Sequence, residues 1–157
     1  MPRLKKVNLY RSLVESKHLC GQSCCCLTVA QQRRLNGFQA RCLRKVLGVK
    51  SAYISRVSNS DILRMAGHTQ ASELLLSAQL VQFGKAMRAP QSSPLHRAGW
   101  TGGTDEPAVS YYVRRVGRPR KEWVPTVLNE ARRRNASGTP IRDLARDESM
   151  WKHHICS

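Results

Sequence analysis

His18, Cys20, Cys24, Cys25 and Cys26 form the densest group of soft, nucleophilic side chains in the chain. Cysteine and histidine together are the donor set of zinc. Structural zinc sites draw their ligands from spaced pairs, such as C-x2-C with a distant H-x3–5-H. Here three cysteines are consecutive, so on any regular element they point in different directions. His153, His154 and Cys156 add donors only if the fold joins the two ends. The expected state is small, soft residues packed under a loop, with no metal and no cofactor. A Cys–His nucleophile needs thiol and base held together, and nothing in the spacing positions one. The carboxylates form no acid–base pair; Asp105 and Glu106 fall in a Gly-rich stretch and read as a solvated turn. Gly102-Gly103 is not followed by Gly-Lys-Ser/Thr, so it is not a phosphate loop. The expectation is a chain without catalytic residues.

Charge is the stronger signal. The 157 residues carry 27 Lys and Arg against 10 Asp and Glu, a net charge of +17. Such a balance favours an anionic polymer as partner and says nothing about fold. It is uneven: residues 1–60 hold +11, residues 61–108 balance, and residues 109–157 hold +6. No acidic residue lies between Glu15 and Asp61. A self-satisfied surface helix interleaves Glu with Lys or Arg at i,i+4, and residues 29–47 do not. Arg33, Arg34, Arg41, Arg44 and Lys45 fall on one side of a helical wheel there, as candidate phosphate contacts. A second candidate is Arg114-Arg115-Val116-Gly117-Arg118-Pro119-Arg120-Lys121. Pro119 favours an extended chain before it and Gly117 permits close backbone approach. An extended Gly-Arg-Pro can lie in a narrow A·T-rich minor groove, where negative potential attracts Arg. The segment resembles the AT-hook core Arg-Gly-Arg-Pro, with Val116 where an Arg is expected. Arg114, Arg115, Gly117, Arg118, Pro119, Arg120 and Lys121 are its candidate contacts.

The elements that must position these residues are helical. Leu4, Val7, Tyr10, Leu13 and Val14 recur at helical spacing and predict a basic amphipathic helix over 3–17. Thr28 and Gln31 make a capping box for the next helix, in which Leu35, Phe38, Cys42, Leu43, Val46 and Leu47 share one side and Gly48 is the stop. Ser58 or Asn59 caps a short helix ending at Gly67. Thr69 is the expected cap of a helix over 70–88. That helix is apolar on two sides: Ala71, Leu74, Leu75, Ala78 and Val81 on one, Leu76, Leu80, Phe83 and Met87 nearly opposite. Residues 89–108, rich in Pro, Gly, Ser and Thr, read as a loop or linker. Residues 110–115 read as a short strand. Trp123, Val127, Leu128 and Ala131 predict a helix with Pro125 in its first turn. Thr139-Pro140 opens a last helical stretch using Ile141, Leu144 and Trp151.

Taken in order, SLVESKHLCGQSCCCLT, RRLNGFQARCLRKVLGV, RVSNSDILRMAG, a Leu-rich helix ending QFGKAMRAP, and GRPRKEW resemble the region downstream of the catalytic core in LINE-type (non-LTR) retrotransposon reverse transcriptases. The resemblance covers about residues 9–125 and rests on ordered spacing across several segments. It implies RNA or DNA as partner. The family's polymerase requires a Tyr-x-Asp-Asp motif; Tyr10, Tyr53, Tyr111 and Tyr112 are never followed by that pair. Cys20 and Cys25 stand where the family's turn carries Tyr and Trp, and the Cys-Cys-His-Cys knuckle of some members is absent. The resemblance thus implies the thumb-end and tail alone, as in a truncated element copy beginning at Met1.

The expected architecture is mostly α: a small helical bundle with a flexible Pro/Gly-rich linker and a basic helical tail. The expected divisions are residues 1–88, a linker over 89–110, and the GRPRK tail over 111–157. The expected function is low-specificity binding of RNA or DNA backbone through the basic helix and the GRPRK segment. Two alternatives stay open: an interaction or self-association module working through helix 70–88, its second stripe left exposed, and a decayed copy without function. No stretch approaches the ~20 apolar residues of a membrane span. The N-terminus lacks the long apolar region of a secretory signal. A nuclear or cytoplasmic location is therefore expected, with reduced thiols.

Overall fold

Helical periodicity governs nearly all of the chain that the structure, a computed structural model, describes: residues 2–100, 122–135 and 138–156. The elements are α1 (Arg3–Tyr10), α2 (Ser16–Leu19), α3 (Val29–Leu47), α4 (Ala52–Ser55), α5 (Asn59–Ala66), α6 (Ala71–Arg88), α7 (Pro94–Gly99), α8 (Trp123–Arg134), α9 (Ile141–Arg146) and α10 (Glu148–Trp151). No extended strand occurs among the described residues, and the mostly α class is as the periodicity predicts. The strand expected over 110–115 lies outside the described residues. The chain divides into two compact units, Met1–Leu76 and Ser77–Ser157. The division falls inside α6, whereas composition suggested a boundary at 88, where the polar stretch begins.

In the first unit, Val7 and Tyr10 of α1, Leu43 of α3, and Ile62 and Ala66 of α5 form one core cluster. Leu35, Ala71 and Leu75 form another, with Leu19 and Leu27 packed on it. Local chemistry sets the ends of α3. Thr28 Oγ1 accepts the Gln31 N–H (3.3 Å) while Gln31 Oε1 accepts the Thr28 N–H (2.8 Å), the predicted capping box. Gly48 closes the helix at φ 72°, a left-handed conformation that glycine enters without steric cost. Ser58 caps α5, and Gly67 ends it at φ 57°.

Two expectations need correction here. The first helical stretch runs to Leu19 through a π-helical turn, Arg11–Glu15, between α1 and α2. That wider turn breaks the 3.6-residue register after Tyr10. Past Tyr10, Leu13 and Val14, expected inward, are exposed, and Glu15 is buried in their place; Leu4, also expected inward, is exposed at the start of α1 before the turn. Glu15 Oε1 accepts a hydrogen bond from Gln39 Nε2 (3.1 Å), and Oε2 lies 3.1 Å from His68 Nε2 without hydrogen-bond alignment. Nor does the Thr69 side chain cap α6. Gln39 Oε1 accepts the Ala71 N–H (2.8 Å) and Asn36 Oδ1 accepts the Ser72 N–H (3.0 Å). Two amides on α3 thus satisfy the first free donors of α6, a role a wheel drawn on one helix cannot reveal.

In the second unit, Phe83 is fully buried among three indoles: Trp100 at 5.1 Å edge-on, Trp151 at 5.9 Å stacked, and Trp123 at 6.2 Å. Such offset and edge-on pairs add to the area effect. Trp151 Nε1 donates to the Leu80 carbonyl at 2.9 Å. Val127, Leu128 and Ala131 of α8, with Pro125 in its first turn, and Ile141 and Leu144 of α9 are buried as predicted, and Ala145 and Ile155, which the pattern did not single out, are buried with them. The stretch read as linker contains α7: Ser93 Oγ accepts the Leu95 N–H (3.3 Å) and Pro94 takes the first helical position, where its missing N–H costs nothing. Pro140 is the residue before α9 rather than its first helical residue.

The second stripe of α6 is not left bare. Ala71 and Leu75 are buried in the first unit's core, Leu80, Phe83 and Ala86 are buried further along, and no large apolar side chain of this helix is exposed.

Candidate nucleic-acid interface

The basic side of α3 is built by the capping box at one end, Gly48 at the other, and the apolar side that Leu35 and Leu43 bury between them. Arg33, Arg34, Arg41 and Lys45 are exposed. At about 100° per residue, Arg34, Arg41 and Lys45 lie within about 40° of one another, spread over roughly 16 Å of helix. Among the described residues no carboxylate lies within ion-pair distance of any of these four cations; the ion pairs of the described residues involve Arg64, His68, Arg88, Arg133, Arg134, Arg146 and Lys152. An uncompensated row of this kind projects positive potential into solvent.

Arg44 does not belong to that row. It is 5% exposed, and its guanidinium is spent on the chain that follows α3. Nη2 donates to the Val57 carbonyl (2.6 Å) and to Asn59 Oδ1 (3.1 Å); Nη1 donates to the Lys50 carbonyl and to Ser55 Oγ, both at 3.4 Å. A helical wheel puts Arg44 beside Arg33. After Gly48 the chain folds back over that side near the helix end and covers Arg44 while leaving Arg33 free. The five-donor guanidinium suits this task of collecting acceptors from a loop.

Arg44 thereby fixes the segment Lys50–Asn59, whose first part, Lys50–Ser55 with the helix α4, sequence reasoning passed over. It carries Tyr53, 81% exposed, and Ile54, 63% exposed, on the short helix α4. The Arg56 guanidinium lies over the Tyr53 ring, 5.4 Å from its centre. Arg56 is the one non-glycine residue with positive φ among those described, at 55°.

A further group of cations lies in the second unit, where Met87, Arg88, Arg142 and Arg146 line an open cavity of about 340 Å³. Arg88 is committed there to the Ala145 carbonyl (3.0 Å) and stands 3.9 Å from Glu148. The candidate residues Arg114, Arg115, Gly117, Arg118, Pro119, Arg120 and Lys121 lie outside the described residues. Of the cysteine group, Cys20, Cys24 and Cys25 are exposed, Cys26 is half-buried, and all four are free thiols. The His18 ring packs on Phe38 at 4.6 Å. Among the described residues no three His, Cys, Asp or Glu side chains converge as a metal site, and no helix is long and apolar enough to cross a membrane.

Comparison with known protein families, with curated proteins and with solved structures finds no match to the chain.

Proposed function

We propose that the chain is a non-catalytic nucleic-acid-binding module that grips phosphates through the exposed side of α3. The observation that carries this reading is the row Arg34, Arg41 and Lys45, with Arg33 beside it, exposed and without a carboxylate partner among the described residues. An isolated surface helix gains from i,i+4 ion pairs; a helix that forgoes them leaves its cations for an outside anion. The net charge of +17 and the GRPRK segment support the same reading. So does the ordered resemblance to the tail of LINE-type reverse transcriptases, whose partner is RNA or target DNA and whose setting is nuclear or cytoplasmic. Phosphate contacts position a protein without reading sequence, so weak specificity is expected.

The test is a salt titration of binding to A·T-rich duplex, G·C-rich duplex and single-stranded RNA. Wild type is compared with the triple variant Arg34→Gln/Arg41→Gln/Lys45→Gln and with Arg118→Ala. Each phosphate neutralised contributes about −0.9 to the log–log slope on duplex and about −0.7 on single strands. The triple variant is expected to flatten the slope by about 2–3. A loss confined to Arg118→Ala on A·T-rich duplex would move the contact to the GRPRK segment. No binding to any of the three at low salt would end the reading.

A further inference from the structure

We infer that Tyr53 is a stacking platform for an unpaired nucleic-acid base, which makes the ligand of this surface a single strand rather than a duplex. The inference rests on the phosphate-binding reading above and specifies which nucleic acid the surface selects.

Four observations lead to it. Tyr53 is 81% exposed, so the fold makes little use of its ring. An aromatic ring left in water forgoes a large burial gain, and Ile54 beside it, at 63%, forgoes another. The pair is nonetheless held in place. The Arg44 clamp bonds the chain on both sides of α4, at the Lys50 and Val57 carbonyls, and at Ser55 within it. A buried guanidinium spent on fixing an exposed four-residue helix makes a rigid display, which lowers the ordering cost of binding.

The surroundings specify the occupant. Lys50 and Arg56, both exposed, flank α4, Lys45 is exposed in the last turn of α3, and no acidic residue occurs from residue 16 to residue 60. An acidic protein surface would satisfy the charge but would not require a flat ring. A single strand requires both: cations for its backbone and an aromatic face for its bases. Arg56 holds an uncommon left-handed backbone, φ 55°, as it sets its guanidinium over one face of the Tyr53 ring. One guanidinium occupies one face only, and the remaining surface of the ring is open to a base. In duplex the bases are already stacked and paired, and Tyr53 has nothing to receive.

The experiment compares binding of the full chain to short labelled single strands that keep their bases and to abasic strands of the same length, as both RNA and DNA, with duplex alongside. Base-bearing strands are expected to bind about tenfold tighter than abasic ones. Tyr53→Ala should remove that difference while leaving abasic binding unchanged. Tyr53→Phe, which keeps the ring, should restore it. A residue so exposed does not hold the fold, and an unchanged thermal midpoint would verify this. Equal affinity of wild type for abasic and base-bearing strands would overturn the stacking platform while the phosphate reading stands. Absence of binding to every strand would overturn both.

Discussion

The indole of Trp151 lies so close on Gly84 that a Cβ at residue 84 would stand 2.5 Å from Nε1 and 2.7 Å from Cδ1. The same indole donates to the Leu80 carbonyl, one helical turn earlier on α6. Glycine at 84 is therefore a matter of space rather than of backbone freedom: it opens a slot in α6 that a fully buried tryptophan fills.

Gly84→Ala is expected to destabilise the protein. Trp151 is 1% exposed and cannot swing away, so overpacking costs about 1–3 kcal/mol, against a helix-propensity gain of about 1 kcal/mol. Gly37, mid-way along α3, has nothing within 4 Å of the equivalent position. Gly37→Ala should therefore raise stability by up to about 1 kcal/mol. Urea unfolding of the two variants, with opposite shifts in midpoint at constant slope, checks the pair.

Arg44→Ala removes a guanidinium that serves four acceptors and takes the 2.6 Å charged donor from the half-buried Val57 carbonyl, while the Lys50 carbonyl keeps only the Ser55 hydroxyl. Hydrogen bonds to charged groups are worth about 1.5–3 kcal/mol each, so a loss of about 3 kcal/mol or more is expected. Arg44→Lys should recover little of it, because an ammonium lacks the planar fork. Thermal unfolding gives the stability. Hydrogen exchange over residues 50–59 should rise in both variants if the clamp holds that segment.

Tyr10 supplies a test at alkaline pH. Burial, then Glu15 and Cys42 nearby, push its hydroxyl up to about 12 from the ordinary 10. The folded chain thus holds the phenolic proton more tightly than the unfolded chain. The resulting stability is fully present below pH 10 and is lost as pH rises from 10 through about 12. The loss amounts to about 2–3 kcal/mol at 1.36 kcal/mol per unit. In Tyr10→Phe this component of the alkaline fall should be absent. If the two chains lose stability in parallel between those limits, Tyr10 is not the group responsible.

Asp61 supplies the acid-side counterpart. The Ser58 hydroxyl, donating to Oδ2 at 2.6 Å, does most to hold its carboxyl below the ordinary range, and Arg64 adds to this. A lowered folded value means stability present above the ordinary carboxylate range and lost as pH falls through the lowered one. Asp61→Asn should therefore melt below wild type at neutral pH, and the gap should close on acidification. A gap that persists unchanged in acid would assign it to packing instead of charge.

How far the residues foretell this arrangement depends on the reach of each interaction. Thr28 with Gln31, Ser58, Gly48 and Gly67 act within a few residues, and the ends of α3 and α5 are legible from them. The cap of α6 is not, because Asn36 and Gln39 reach it from another helix. Wheel periodicity places Arg34, Arg41 and Lys45 correctly and misplaces Arg44. A wheel knows nothing of the segment that folds over one end of the helix. Tyr53 escapes for a related reason: an isolated Tyr-Ile pair carries no periodicity, and only its exposure in the fold sets it apart.

The π-helical turn at Arg11–Glu15 bears on which changes of length the chain can absorb. Residues before it seat Val7 and Tyr10 against Leu43, and its last residue, Glu15, meets Gln39. Removing one residue from this turn would leave an unbroken helix of good local geometry, yet rotate one flank against the other by about 100°. Either the tyrosine or the glutamate would then miss its seat. A point substitution among the exposed residues of the turn, Arg11 to Val14, costs little by comparison. Here the number of residues is under tighter constraint than the identity of most of them.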